Sequence, residues 1–320
     1  MKPRILIFEW ITGGGAWLDV EAPPTQLTLQ ANGIWSSLCR GFSEAGFEVA
    51  TTFDARYADF KMKNHADCCQ QTGRDTDLKT QLQSMAKEAD IVSLVAPETG
   101  GRLNHCLHWL REFETKCINP SIEFTELASN KTRLCEFLSL RNILVPAGCG
   151  LKDLVAFLAN SKADRFVLKP IDGCGGDGIQ VVDRRSALSI VEYKSQSLPQ
   201  VRVEPFLMGE SVSVMVFRSQ TQLYQFTPLK QNFQPESLFQ FSHCSDGISV
   251  STQQRAATLA KQVIDALPEF VGIVGLDMVI GDCGDYLIEV NPRAVMSCEY
   301  FWNQKRAEFI EGLRIFDPRL

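Results

Sequence analysis

Residues Gly272 to Met296 read GIVGLDMVIGDCGDYLIEVNPRAVM, two apolar runs on either side of the turn cluster Gly281-Asp282-Cys283-Gly284-Asp285. This pattern predicts a β-hairpin. With the turn centred on Cys283, Asp277 stands directly opposite Glu289, and alternation of side chains puts Asn291 on the same face as Glu289. The two carboxylates are then roughly 5 Å apart across the pair. Like charges so placed repel, and a bound cation would give the arrangement a purpose. Two carboxylates and an amide form an all-oxygen set that suits magnesium better than zinc, with manganese as the alternative. The plainer reading is a hairpin with one solvated face, on which Asp277 and Glu289 bind nothing. The neighbours favour the first reading: Pro292-Arg293 follows Asn291 immediately, and a lysine and glycine loop lies far upstream.

That loop begins with Arg165-Phe166-Val167-Leu168-Lys169-Pro170, an alternating strand that puts Val167 and Lys169 on one face and ends at Pro170. The sequence IDGCGGDGIQVV follows, in which Gly173, Gly175 and Gly178 satisfy G-x-G-x-x-G. A dinucleotide loop must open a helix, whereas Ile179-Gln180-Val181-Val182 is strand-like, so the loop is expected to link two antiparallel strands. An oxidoreductase is accordingly the weakest of the functional readings. No G-K-[ST] follows, so the loop is not a Walker A sequence either. A glycine flap between strands can instead lie over phosphates and donate backbone N–H groups to them; an empty hairpin is the bland alternative.

Between flap and hairpin, QVRVEPF (200–206) predicts a strand with Glu204 at its end. A carboxylate there can accept a hydrogen bond from an adenine amino group, with backbone groups of neighbours such as Phe206 reading the ring. SVSVMVF and QLYQFTPL predict a further hairpin, and Thr252–Leu267 a helix. Upstream, Ser129 or Asn130 caps a helix with Lys131 in its first turn, where a cation opposes the helix dipole unless a phosphate lies nearby. Taken locally, an exposed lysine is the simpler reading. Lys230 and His243 read as surface or loop residues.

The N-terminal part alternates strand, helix and strand: RILIF (4–8), a helix over 25–45, FEVATTF, a helix over 75–89, and a third strand over 90–95 that ends in the loop Ala96-Pro97-Glu98-Thr99. A parallel sheet with helices on both faces is expected. The prolines after Gly13-Gly14-Gly15 argue against a helix opening directly on that triplet.

The 320 residues, 45% of them hydrophobic, suffice for two or three small domains. A formal net charge of -6 argues against a general nucleic-acid binder. No apolar run approaches membrane-helix length and the first residues read as a strand, so a cytoplasmic protein is expected, a homodimer being the default for a soluble enzyme. The 11 cysteines lack any C-x-x-C pair, and reduced thiols are expected. His105-Cys106-Leu107-His108 lacks the spacing that would complete a zinc site.

Taken together, Lys131, Lys169 with its glycine loop, Glu204, Asp277 and Glu289-x-Asn291-Pro292-Arg293 resemble the ATP-grasp superfamily over residues 121 to about 300. The resemblance implies an α/β plus α+β fold. A Rossmann-like preATP-grasp domain (1–120) would precede lobe A with the glycine flap (121–203) and lobe B with the metal-binding hairpin (204–320). It implies ATP phosphates at Lys131, Lys169 and the backbone of Gly173, Gly175 and Gly176, and adenine at Glu204 and Phe206. One or two magnesium ions would sit on Asp277, Glu289 and Asn291, and Arg293 would clamp the transferring group beside the catalytic Lys169. A ribose contact from Glu210 is the family expectation, although the acid often falls one position later, at Ser211 here. The implied activity is amide formation between a small carboxylic acid and an amine through an acyl phosphate, with ADP released. EWITGGG and NPRAVMS resemble the small ATP-grasp proteins related to tyramine:glutamate ligase of methanofuran biosynthesis, which also accompany one-carbon pathways in some bacteria. The rival readings are a kinase-like phosphotransferase and a nucleotide-binding protein without turnover.

Overall fold

The computed structural model describes residues 2–19, 22–57, 66–194, 200–234 and 240–319. Val20 and Glu21, within the loop expected after the glycine triplet, lie outside them.

The chain begins with β1 (Arg4–Glu9), α1 (Thr25–Ala45), β2 (Glu48–Asp54), β3 (Cys68–Thr72), α2 (Leu78–Glu88), β4 (Ile91–Val95) and α3 (Arg102–Trp109). The strands form a parallel sheet in the order β3-β2-β1-β4. β1, β2 and β4 are buried because helices cover both faces, and β1 and β4 are largely apolar. β3, with the sequence CCQQT, was not expected. It is a half-exposed edge strand and so carries no hydrophobic pattern. α1 spans the residues predicted for it, with Gly46 at φ 102° closing it in the left-handed region that glycine adopts at no steric cost.

Next come α4 (Ile122–Ser129), α5 (Lys131–Ser139), β5 (Cys149–Gly150), α6 (Leu154–Asn160), β6 (Arg165–Pro170), β7 (Gln180–Asp183), α7 (Arg184–Lys194) and β8 (Val201–Pro205). A small antiparallel sheet, β5-β8-β6-β7, carries the flap between β6 and β7, the antiparallel link that the sequence predicts. Phe166 and Leu168 face the core of this unit, while Val167 and Lys169 face the opposite side.

The remainder comprises β9 (Glu210–Arg218), β10 (Leu223–Gln225), β11 (Leu229–Phe233), β12 (Phe241–Ser245), α8 (Val250–Ala266), β13 (Gly272–Gly281), β14 (Gly284–Asn291), α9 (Ser297–Gln304) and α10 (Arg306–Arg314). The large sheet runs β12-β11-β9-β13-β14, with β10 paired to β9. Lys230 and His243 therefore lie on strands β11 and β12, not in loops. The polar sequences LKQNF and FSHCS hid both strands.

One face of the large sheet, through Val212, Val214, Val216, Leu276 and Val290, packs on α4, α5 and α8. The first helices of the stretch expected to form lobe A thus share a core with the large sheet. At the far end of the other face, Met215 and Phe217 join a core that also contains Trp35 and Phe42 of α1 and Phe301 and Phe309 of α9 and α10. The C-terminal helices in this way fasten the first sheet to the large one. Ser211 and Ser213, on the same face as Met215, line an open cleft.

Candidate functional site

Pairing in the β13–β14 hairpin starts at Gly281 with Gly284, so the turn contains two residues, Asp282 and Cys283. Continued regularly, this register would place Ile288 opposite Asp277. A bulge shifts it by one, and Asp277 pairs with Glu289 as expected. The cleft above the sheet has a volume of about 280 Å³, and Asp277, Glu289 and Asn291 line one stretch of it.

Asn291 Nδ2 donates to Asp277 Oδ2 (3.1 Å), and Gln231 Nε2 of β11 donates to Asp277 Oδ1 (2.9 Å). Desolvation, reinforced by the charge of Glu289, raises the Asp277 carboxyl to about 6. A site that raises the proton affinity of a carboxylate in this way is short of positive charge. Two carboxylates and an amide oxygen are hard ligands. Too few to complete an octahedron, they suit magnesium sharing its shell with phosphate oxygens and water. Among the described residues no group of three or more His, Cys, Asp or Glu side chains could hold a metal ion alone.

Lys131 is the first residue of α5, capped by Asn130, whose side chain accepts from Arg133 N. It is buried rather than solvated, at 4% exposure. Nζ lies 3.3 Å from Glu289 Oε1 and donates to the carbonyl of Gly173 at the base of the flap. Burial pulls its pKa down, and the carboxylates of Glu289 and Glu98 more than compensate, leaving it above the ordinary lysine value. Gly175 and Gly176 line the cleft with positive φ (64° and 82°), a backbone path that L side chains disfavour. The flap also touches the first domain: Gly100 N donates to Asp172 Oδ2 (3.1 Å) and Thr99 Oγ1 to the Asp172 carbonyl (3.2 Å).

Further along the cleft, Lys169 Nζ lies 2.6 Å from Glu204 Oε2, and Arg202 Nε donates to Glu204 Oε1 (2.6 Å). All three side chains are buried. Phe206 and Leu207 add apolar surface beside these charges. Glu210 is not among the cleft residues. Its carboxylate accepts from Thr252 Oγ1 (2.8 Å) and lies 3.9 Å from Lys230, while Ser211, one step along β9, lines the cleft.

Arg293 directs its guanidinium toward the first domain, where Nη2 donates to Glu98 Oε2 (2.9 Å) and lies 3.5 Å from Asn291 Oδ1. The neighbouring carboxylates hold it firmly protonated against its burial.

The family model described as an ATP-grasp domain matches residues 128–297, and one described as a pre ATP-grasp 3 domain matches residues 47–123. The chain belongs to the ATP-grasp family. A tyramine–L-glutamate ligase of Methanocaldococcus jannaschii is 23% identical over 241 residues, which cover 75% of this chain and 67% of that protein. An N5-carboxyaminoimidazole ribonucleotide synthetase, solved with ADP, superposes with a TM-score of 0.72 at 19% identity, covering 98% of this chain and 77% of its own. An ATP-grasp superfamily protein from Archaeoglobus fulgidus gives 0.70 at 17%, covering 94% and 84%. These two structures bear on the fold alone.

Within the ATP-grasp fold of this chain, every expected residue except Glu210 and Gly173 lines the cleft or contacts one that does; Gly173 is reached through its carbonyl by Lys131. Four neighbours escaped the sequence reading: Glu98, Arg202, Ser213 and Gln231. Glu98 lay in the loop noted after the third expected strand, and its place beyond the carboxyl end of a parallel strand was the available signal. Gln231 gave none, because the strand that aims it was not legible.

Proposed function

We propose that the chain is an ATP- and magnesium-dependent carboxylate-amine ligase that forms an amide through an acyl phosphate and releases ADP. The supporting observation is the convergence of Arg293, Lys131 and the Asp277–Glu289–Asn291 set at one end of a cleft whose other end carries Lys169, Glu204 and Phe206. Glu204 and the backbone around Phe206 take the adenine, while Lys169, Lys131 and the N–H groups of Gly173, Gly175 and Gly176 hold the phosphates. Asp277, Glu289 and Asn291 hold magnesium, which supplies charge neutralisation between phosphate oxygens when bound. Arg293 presents a planar fork of donors to the transferring phosphoryl group. The protein's task is positioning and electrostatic stabilisation, because phosphoryl transfer asks for little covalent chemistry from it.

The relative's name makes L-glutamate and tyramine the first acid and amine to try. ADP release should require acid and amine together. Sustained ADP release with the acid alone would indicate a phosphotransferase, and none with any pair would leave a nucleotide-binding protein without turnover.

A further inference from the structure

Glu98 and Arg293 meet through a single contact, although a guanidinium and a carboxylate commonly pair through two. Each keeps a buried atom without a hydrogen-bond partner: Glu98 Oε1 and Arg293 Nε. Glu98 is only 5% exposed, so its free oxygen is not satisfied by bulk water. A buried half-made pair is costly unless something completes it.

Its place in the fold points to the occupant. The first sheet runs β3-β2-β1-β4, so the chain moves outward on one side of β1 and then crosses to the other. The crevice beyond the carboxyl ends of β1 and β4 is the topological switch point, where open α/β sheets receive ligands. Glu9 closes β1, held through Oε2 by Thr12 N (2.6 Å) and Thr12 Oγ1 (2.8 Å), and Glu98 follows β4. Arg293 enters the same crevice from the hairpin of the other sheet, close enough for its charge to act on Glu9. The open Arg293 nitrogen calls for an anion and the open Glu98 oxygen for a cation beside it. A phosphate with an ammonium next to it meets both demands.

On the ligase reading proposed above, we infer that Glu98 binds the protonated nitrogen of the amine substrate, next to the phosphate held by Arg293, and accepts its proton, so that the free amine attacks the acyl carbon as phosphate leaves. When a phosphoryl group draws the guanidinium toward itself, Glu98 loses the cation that it touches among the described residues, with Lys131 acting on it only through its charge, and a substrate ammonium can take the vacated contact. The amine is thus recruited after the acid has been activated, which protects the acyl phosphate from idle attack. This selects basic amines over neutral nucleophiles of the same size.

The test uses hydroxylamine, which is uncharged at neutral pH, as an alternative nucleophile. From a panel of amino and dicarboxylic acids that includes L-glutamate, the acid giving hydroxamate with the wild type is chosen, and primary amines including tyramine are compared on it. Glu98→Gln, which keeps an acceptor for Arg293, should raise KM for the amine roughly 30-fold or more. Hydroxamate formation and KM for ATP should stay within about threefold. Equal losses with amine and hydroxylamine would show that Glu98 only positions Arg293, and an unchanged KM for the amine would remove it from the substrate site. Either result overturns the inference. A wild type that forms neither hydroxamate nor ADP overturns the ligase reading itself, a distinguishable failure.

Discussion

Glu289 stands opposite Asp277 because Ile288 is squeezed out of the β13–β14 ladder as a bulge. The two-residue turn alone would have set Ile288 there and moved the second carboxylate out of register. The bulge therefore builds the pair of like charges on which a cation site depends; burial first, and the charge of Glu289 second, raise Asp277 to about 6 from an ordinary value near 3.8.

That shift makes a pH-dependent contribution to the stability of the ligand-free protein. Between about pH 4 and pH 6 the folded state binds the Asp277 proton and the unfolded state does not, so stability is fully present below the unfolded pKa and falls as pH rises through the folded one. The difference amounts to on the order of 2–3 kcal/mol by neutral pH. Urea denaturation across this range should show the slope in the wild type and a flatter one in Asp277→Asn. Identical slopes would show that Asp277 titrates normally.

Removing a clamp from the phosphate end should cut turnover much more than stability. Arg293→Ala and Glu289→Ala are each expected to lose about a hundredfold or more in kcat, measured as ADP release. Rates within a few-fold of wild type in both variants would detach the hairpin from catalysis.

At the other end of the cleft, Glu204 is the shared anion of two buried cations, Lys169 and Arg202. Glu204→Ala leaves both uncompensated and should cost about 3 kcal/mol or more, whereas Lys169→Ala leaves the Glu204–Arg202 pair intact and should cost distinctly less. Equilibrium unfolding of the two variants provides the comparison, and the reverse order would refute the shared-anion arrangement.

Two glycines with nearly the same φ make a controlled pair. A Cβ on Gly14 (φ 99°) would lie 2.0 Å from Thr72 Oγ1, whereas Gly46 (φ 102°) has nothing within 4 Å. Gly46→Ala should cost about 1–2 kcal/mol from backbone strain alone, and Gly14→Ala about 3 kcal/mol or more once overpacking is added. Equal losses would mean that the loop after β1 yields.

Legibility followed hydrophobic contrast. The central strands, helix α1, the flap and the hairpin could be read because burial on one or both faces leaves a period in the sequence. β3, β11 and β12 could not, since CCQQT, LKQNF and FSHCS are polar strands at or near sheet edges. The site showed the same division. Asp277, Glu289, Asn291 and Arg293 are close in sequence and announced one another, while Glu98 lies 195 residues from Arg293. The packing of α1 against α9 and α10 helps to bring those two together. Local sequence alone favours an exposed Lys131, because its burial depends on the flap and on β14, neither of which is local to α5.

The central claim, a metal-nucleotide site on the hairpin, is tested most directly by thermal unfolding with ATP and magnesium, each alone and together, for the wild type and Glu289→Ala. At ligand concentrations near 100 times Kd the wild-type midpoint should rise by roughly 5 °C only when both are present, and Glu289→Ala should not respond. No shift under any condition, or the same shift in the variant, would contradict it.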